Sequence, residues 1–208
     1  MRLVQIKAMT PESTNKRAAQ GRATREQLIE VATHLFAENG YEDTSVEDVL
    51  AAAGVSRGAL YHHFAGKDAL FEAVVDSVEA SVMVALGTVG ADAPDAVSRI
   101  KAVALGWIAM AGDPVIQRVI LLDGPSVLGL ERWYDPDKQQ AFGAMVALLE
   151  AVADEGGLDR ELVSPFAHMI LGAMDEMAIV VARAADSATA IADARPAIEE
   201  MLNRLLSE

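Results

Sequence analysis

Apolar residues recur at helical spacing over almost the whole chain, and no segment alternates as a strand would. From Thr24 to Asn39, the residues Leu28, Val31, Ala32, Leu35 and Phe36 share one side of a helix. Thr24 with Gln27 has capping-box spacing, and Gly40 is a good C-terminal stop. A second helix is expected from about Ser45, with Thr44 and Glu47 as its capping pair. It turns Val46, Val49, Leu50 and Ala53 inward and stops at Gly54. Ser56 caps a third, very short helix that ends near Phe64. Lys67 opens a long fourth helix with Leu70, Phe71, Val74, Val75, Val78 and Val82 on one side.

After Gly87–Pro94 the composition becomes rich in Ala, Leu, Val and Met. Helical periodicity continues near 95–110, 115–122, 137–153, 165–185 and 190–206. Breaks fall at Gly112–Pro114, Gly124–Pro125, Asp135–Pro136, Gly156–Gly157 and Ser164–Pro165. Pro196 either delays the last helix or kinks it. Nothing repeats at a solenoid period. The expected fold is all-α: an N-terminal arm over 1–23, a three-helix unit over 24–68, and a larger helical domain over 69–208.

Length and composition fit this picture. The chain has 208 residues, of which 52% are hydrophobic, enough for one or two packed domains. It has no cysteine, which excludes disulfides and thiolate metal sites and fits a reducing, cytoplasmic setting. No long uncharged apolar run points to a membrane span. The opening MRLVQIKAM is too short and too broken by charge for a secretory signal, and Met9 is a second candidate start that would leave 1–8 as an extension. The net charge is −14, but it is unevenly spread: residues 1–68 carry −1 and residues 69–208 carry −13. Residues 1–25 hold six Lys/Arg against one Glu. Taken alone, such an arm reads as a solvated tail.

The stretch GVSRGALYHHF, residues 54–64, gives those cations a use. The second helix, a turn over Ala53–Ser56 and the third helix have helix-turn-helix spacing. On a helical wheel Leu60 and Phe64 face the first helix, with Val55 beside them. Gly58, Ala59 and His62 fall opposite, flanked by Arg57, Tyr61 and His63. A helix entering a DNA major groove needs small residues for close approach and hydrogen-bonding groups at its edges. Arg57 suits a guanine edge or a phosphate; Tyr61 and the histidines suit phosphate oxygens. Thr44 and Ser45 stand at a helix N-terminus, which favours an anion, and Lys67 adds a cation at another. The arm, with Arg22, is placed to follow the backbone into a minor groove. The alternative is a helix-turn-helix that serves packing alone, with Tyr and His as boundary residues. Adjacent helical residues point about 100° apart, so His62 and His63 do not share a metal ion. No metal or cofactor is expected.

The segment TSVEDVLAAAGVSRGALYHHFAGKDALFEAV, residues 44–74, with LFAENGYEDTSV before it, closely resembles the DNA-binding signature of the TetR family of bacterial transcriptional regulators. The likeness is specific over about 24–75, and LLDGPSVLGLERWY is similar to a segment of one branch of the family. The resemblance implies a homodimer reading the half-sites of a palindromic operator in double-stranded DNA. It also implies a C-terminal domain with an inducer pocket and the dimer interface. Matched by position, the DNA-facing set is Thr44, Ser56, Arg57, Gly58, Ala59, Tyr61, His62, His63 and Lys67, to which Ser45 and Arg22 are added. Relatives often carry Tyr where His62 stands; His keeps a donor there. Ala59 offers only a methyl. The acidic distal domain would sit away from the duplex.

The last two helical segments are the dimer candidates, through Phe166, Ile170, Met174, Met177 and Val181 on one and Ile198, Met201 and Leu205 on the other. Gly172 and Ala173 permit close approach. The alternative is that both helices close the subunit's own core. Trp107, Met110, Leu128, Trp133, Phe142, Met145, His168 and Met174 are the candidate pocket lining, suiting an apolar or aromatic small molecule. His168 also reads as a core or interface residue. Asp175 and Glu176 interrupt an apolar helix and read as a solvated face, with orientation of a polar or cationic ligand as the alternative. No hydrolase, metalloprotease, P-loop or dinucleotide motif occurs, and Glu150, Asp154 and Glu155 lack a His or Lys partner, so no enzymatic activity is expected. The function expected is a ligand-released repressor. The rival is a dimeric helical ligand-binding or interaction protein that does not bind DNA.

Overall fold

A computed structural model describes residues 11–133 and 140–206. The candidate start at Met9, the segment before it and the break at Asp135–Pro136 lie outside the described residues, as does the side chain of Trp133. Among the described residues the secondary structure is helical throughout. The elements are α1 (Pro11–Asn39), α2 (Val46–Ala53), α3 (Arg57–His63), α4 (Lys67–Thr88), α5 (Ala96–Met110), a π-helix (Ile116–Asp123), α6 (Gly124–Trp133), α7 (Gln140–Asp154), a 3-10 turn (Arg160–Leu162), α8 (Val163–Arg183) and α9 (Ser187–Leu206).

The arm is the first correction. Helix α1 does not begin at Thr24 but runs unbroken from Pro11, so 11–23 extend the rod. The Thr24 hydroxyl donates to the Gln20 carbonyl one turn back at 3.0 Å, the bond a helix-interior threonine makes. Gln27, its supposed capping partner, instead donates to the Ala53 carbonyl at 2.9 Å and ties α1 to the end of α2. The second correction is at α2. Ser45, not Thr44, is the N-cap: its hydroxyl accepts from Asp48 N at 3.1 Å, and Asp48 accepts from Ser45 N at 2.9 Å. Thr44 is buried, its hydroxyl spent on the carbonyls of Gly40 and Leu35 at 2.8 and 3.2 Å.

One continuous core runs through the molecule. In the head, Leu28, Ala32 and Phe36 of α1 meet Val49, Leu60, Phe64, Leu70 and Phe71. Phe36 and Phe71 pack edge to face at 5.1 Å, and Tyr41 stands 5.0 Å from Phe71. Such pairs add about 0.5–1.5 kcal/mol each beyond area burial. Helix α4 serves both parts: Leu70, Phe71 and Val74 belong to the head, while Val78 and Val82 continue the core into the distal part. There α8 packs between α7 and α9, and α5 lies against all three.

Segment 124–133, expected only as a break, forms α6 with a bend at Gly129. Segment 115–122 is helical as expected, but wound as a π-helix. That form is uncommon and frequent at functional sites. Helix α9 passes through Pro196 rather than starting late. By length and apolar composition, α8 with the turn before it would suffice to cross a membrane. Its Ile170, Met174, Ala178 and Val181 are instead buried in the shared core.

Of the glycines with positive φ, Gly40 and Gly54 flank α2, and their surroundings differ. Gly40 (φ +85°) is buried, and a Cβ there would collide with the Arg118 guanidinium; Gly54 (φ +65°) faces open space. We expect Gly54→Ala to cost about 1–2 kcal/mol from backbone conformation alone and Gly40→Ala about 2–4 kcal/mol, because contact is lost as well. Thermal unfolding of both variants measures the difference.

Candidate nucleic-acid interface and ligand cavity

The α2–α3 turn works because Gly54 takes the left-handed cap and donates to the Leu50 carbonyl at 3.0 Å. Ser56 then caps α3 by accepting from Ala59 N at 3.2 Å. Leu60 and Phe64 are anchored in the core, as the wheel required. That fixes what α3 turns outward: Ser56, Arg57, Gly58, Tyr61 and His62 are exposed, with Ala59 half-buried among them. Tyr61 is 48% exposed, unusual for a large aromatic with no partner to cover it. Ser45 and Arg22 are exposed as well.

Three expected contacts are committed inward. Thr44 is buried, as described. His63 is half-buried, its ring edge 3.8 Å from where a Cβ on Gly21 would stand, so it seats α3 on α1. Lys67 lies with Nζ 4.1 Å from the Tyr41 ring centroid and donates to the Glu42 carbonyl at 3.3 Å. Arg25, absent from the expected set, stacks over Phe64 at 5.3 Å and brings another cation beside the end of α3. Arg57 is paired with Glu47 of α2, both side chains well exposed. An exposed pair of this kind holds by about 0–1 kcal/mol, so a phosphate or base edge can displace it.

The head is fastened to the distal part by a compact polar grip. Tyr41 N donates to Asp123 Oδ2 at 2.7 Å, and Arg118 Nε donates to the same oxygen at 3.0 Å. The guanidinium lies flat on Gly40, where a side chain would not fit. Both gripping residues come from the π-helix. The Tyr41 hydroxyl is bonded to Asp68, and burial first, then that carboxylate, pushes its pKa up. Asp123 stood in the LLDGP stretch, but no local spacing revealed that it would meet a turn 82 residues away.

The distal part holds a cavity of about 530 Å³ between α4, α5, the π-helix, the start of α6, α7 and α8. Its walls include Val82 and Leu86, Val103 and Trp107, Ile120 and Leu121, Met145 and Leu148, and Leu171, Met174 and Ile179. Of the expected lining residues, Trp107, Met145 and Met174 are there. Met110 faces a separate open cleft beside α1 and α4. Phe142 and His168 stack on each other at 4.3 Å outside the cavity, and Leu128 packs on the core without reaching it. Asp175 and Glu176 are exposed, as a solvated face requires, but Asp175 also lines the cavity; desolvation by the surrounding protein pushes its pKa up to about 6, against the opposing indole N–H of Trp107. Trp107 Nε1 is itself buried without a well-formed hydrogen bond.

The expected dimer set splits in two. Ile170, Met174, Val181 and Ile198 are buried in the subunit's own core and are not available to a partner; Phe166, Met177, Met201 and Leu205 are half-buried against it. The outer face of α8 instead carries Met169 and Val180, 53% and 50% exposed, with exposed Gly172 between them.

Comparison with known proteins agrees with both halves of this geometry. Residues 28–74 match the family model described as bacterial regulatory proteins, tetR family, and residues 97–205 match the tetracyclin repressor-like C-terminal domain. The HTH-type transcriptional regulator AcrR of Shigella flexneri is 36% identical over 67 residues, 32% of this chain and 31% of that protein. The HTH-type transcriptional repressor KstR2 of Mycobacterium tuberculosis is 42% identical over 55 residues, 26% of this chain and 28% of that one. The chain thus spans about a third or less of each of these two relatives. A TetR-family transcriptional regulator from Pectobacterium atrosepticum superposes with a TM-score of 0.79 at 32% identity, covering 91% of this chain and 97% of the other. The fatty acid degradation regulator FadR from Bacillus halodurans shares the fold at a TM-score of 0.67 and 18% identity, covering 94% and 96%. With its helix-turn-helix head and helical distal domain both matched, the chain belongs to the TetR family of DNA-binding transcriptional regulators, a family of regulators and not of enzymes.

Proposed function

We propose that this protein is a cytoplasmic homodimeric repressor, bound to a palindromic operator and released when a small, largely apolar molecule fills the distal cavity. The observation that carries this reading is the π-helix. Its Ile120 and Leu121 wall the cavity, and its Arg118 and Asp123 hold the Gly40–Tyr41 turn of the head. One short element therefore touches both the occupant and the reader. A ligand that favours one winding of this segment over another shifts the head by the same free-energy difference. The outward set on α3, the cations Arg22 and Arg25 beside it, and relatives named as repressors support the DNA end of the scheme. For the dimer, the outer stripe Met169–Gly172–Val180 on α8 is the better interface than the inward residues.

Selection of random or genomic duplex DNA on the full protein tests the reading directly. An enriched palindrome is expected. If each subunit neutralises four or five phosphates, the log–log salt slope should be about −7 to −9. Absence of any enriched sequence would sink the proposal.

Arg57→Ala and Tyr61→Phe should each weaken operator binding by about 5- to 100-fold, reflecting about 1–3 kcal/mol per lost contact. Glu47→Gln should strengthen it by up to about 5-fold, because Arg57 is freed and a negative charge leaves the interface. Gel-shift titration at fixed salt reads all three. Met169→Asp with Val180→Asp should shift the protein from dimer to monomer in analytical ultracentrifugation, whereas Ile170→Val should not. Asp123→Asn should retain DNA binding to within about 3-fold but blunt release by ligand, since it loosens a charge-assisted bond of roughly 1.5–3 kcal/mol.

A further inference from the structure

The chemistry of the cavity narrows its occupant further than volume does. Its walls are hydrocarbon and sulfur, and two polar atoms stand out among them. One is the Asp175 carboxylate on α8, which forms no ion pair with a Lys, Arg or His among the described residues. The other is the Trp107 indole N–H on α5, buried without a well-formed acceptor. The exposed side chains of Arg99 and Gln140 and the half-buried Glu79 complete the polar lining. The Asp175 carboxylate is exposed on an otherwise apolar cavity wall, so a ligand that fills the cavity strips its water, and a charge desolvated without a counter-charge is costly. A ligand that brings a cation relieves that cost; one that brings a second anion deepens it. The acidic distal segment, net −13 over residues 69–208, also draws cations toward the cavity and repels anions.

We propose that the cavity takes an apolar organic cation, a hydrocarbon or aromatic body bearing a protonated amine that docks on the Asp175 carboxylate beside the Trp107 ring. This deepens the reading of the cavity as the inducer site and rests on it. The ammonium donates to a carboxylate oxygen, and the indole contributes its N–H to the other oxygen or its face to the cation. With its pKa near 6, Asp175 is mostly ionised at neutral pH, so the site is charged where an amine is charged too. A fatty acid anion would place two carboxylates in one apolar chamber. The site is built to reject it.

Calorimetric titration of the full-length protein with n-decylamine, 1-decanol and decanoate, matched in chain length, tests this at pH 7.5. Decylamine should bind at least about 10-fold more tightly than the other two, as a buried charge-assisted hydrogen bond warrants. In Asp175→Asn, decylamine should weaken by about 10- to 100-fold, while decanol changes by less than about 3-fold. Because the surroundings of Asp175 disfavour its ionised form, the Asn variant should melt no lower than the native protein. The comparison of the three ligands on native protein decides the matter even without it. Equal or tighter binding of decanol or decanoate, no binding of decylamine, or unchanged amine affinity in Asp175→Asn would overturn the proposal. Operator release is measured separately. Amine binding that depends on Asp175 but leaves the operator complex intact would uphold the site and overturn the inducer reading. Release of the operator by another ligand class, with no amine binding, would do the reverse.

Discussion

The architecture turns on a single carboxylate. Asp123 takes the Tyr41 backbone N–H and the Arg118 Nε on one oxygen, and the guanidinium so held presses on Gly40. Without it, the turn between α1 and α2 would keep the Thr44 bonds to Gly40 and Leu35, the Lys67 contact with Glu42 and the apolar floor of Phe36, Tyr41 and Phe71, but would lose its hydrogen bond to the π-helix. Apolar contacts hold elements together but are not directional. The hydrogen bonds specify one orientation of the head against the distal domain. Arg118 and Asp123 lie on a π-wound segment, whose register differs from that of an α-helix, so the grip depends on a winding that side chains in the cavity can also influence.

The head was legible in the sequence because its determinants are local. Gly54, Ser56, Leu60 and Phe64 act within one or two turns of themselves, and their spacing states their roles. Errors arose where a residue type suits two local roles. Thr44 and Ser45 are adjacent and both able to cap; burial decided between them. Thr24 is a good N-cap in isolation but an ordinary interior threonine once Ala18, Ala19 and Gln20 continue the helix behind it.

The distal part was legible as helices and illegible as a site. The cavity wall draws residues from α4, α5, the π-helix, α6, α7 and α8, so membership depends on how faces converge, which no periodicity reports. Large residues such as Met110 and Phe142 were reasonable candidates that point elsewhere. On α8 the stripe Phe166, Ile170, Met174 was correctly seen as apolar, but an apolar stripe does not say whether it meets its own core or another chain. Asp175 is exposed as its polarity suggests, yet the convergence of helices makes it part of the cavity wall as well, which no pattern shows. Met169 and Val180 lie off the stripe that the periodicity marks, and only the packed structure shows them exposed.

Helix α1 has a mechanical consequence of its own. It is an unbroken rod of 29 residues, on the order of 40 Å long at about 1.5 Å per residue. One end is clamped at Gly40, and the other projects beyond α3 on the side where Arg22 is exposed. A rod so held is a lever. A tilt of about 5° at the clamp carries the far end through roughly 3–4 Å, comparable to the rise of one base pair. On the function proposed above, such a tilt would carry Arg22 out of register with a duplex.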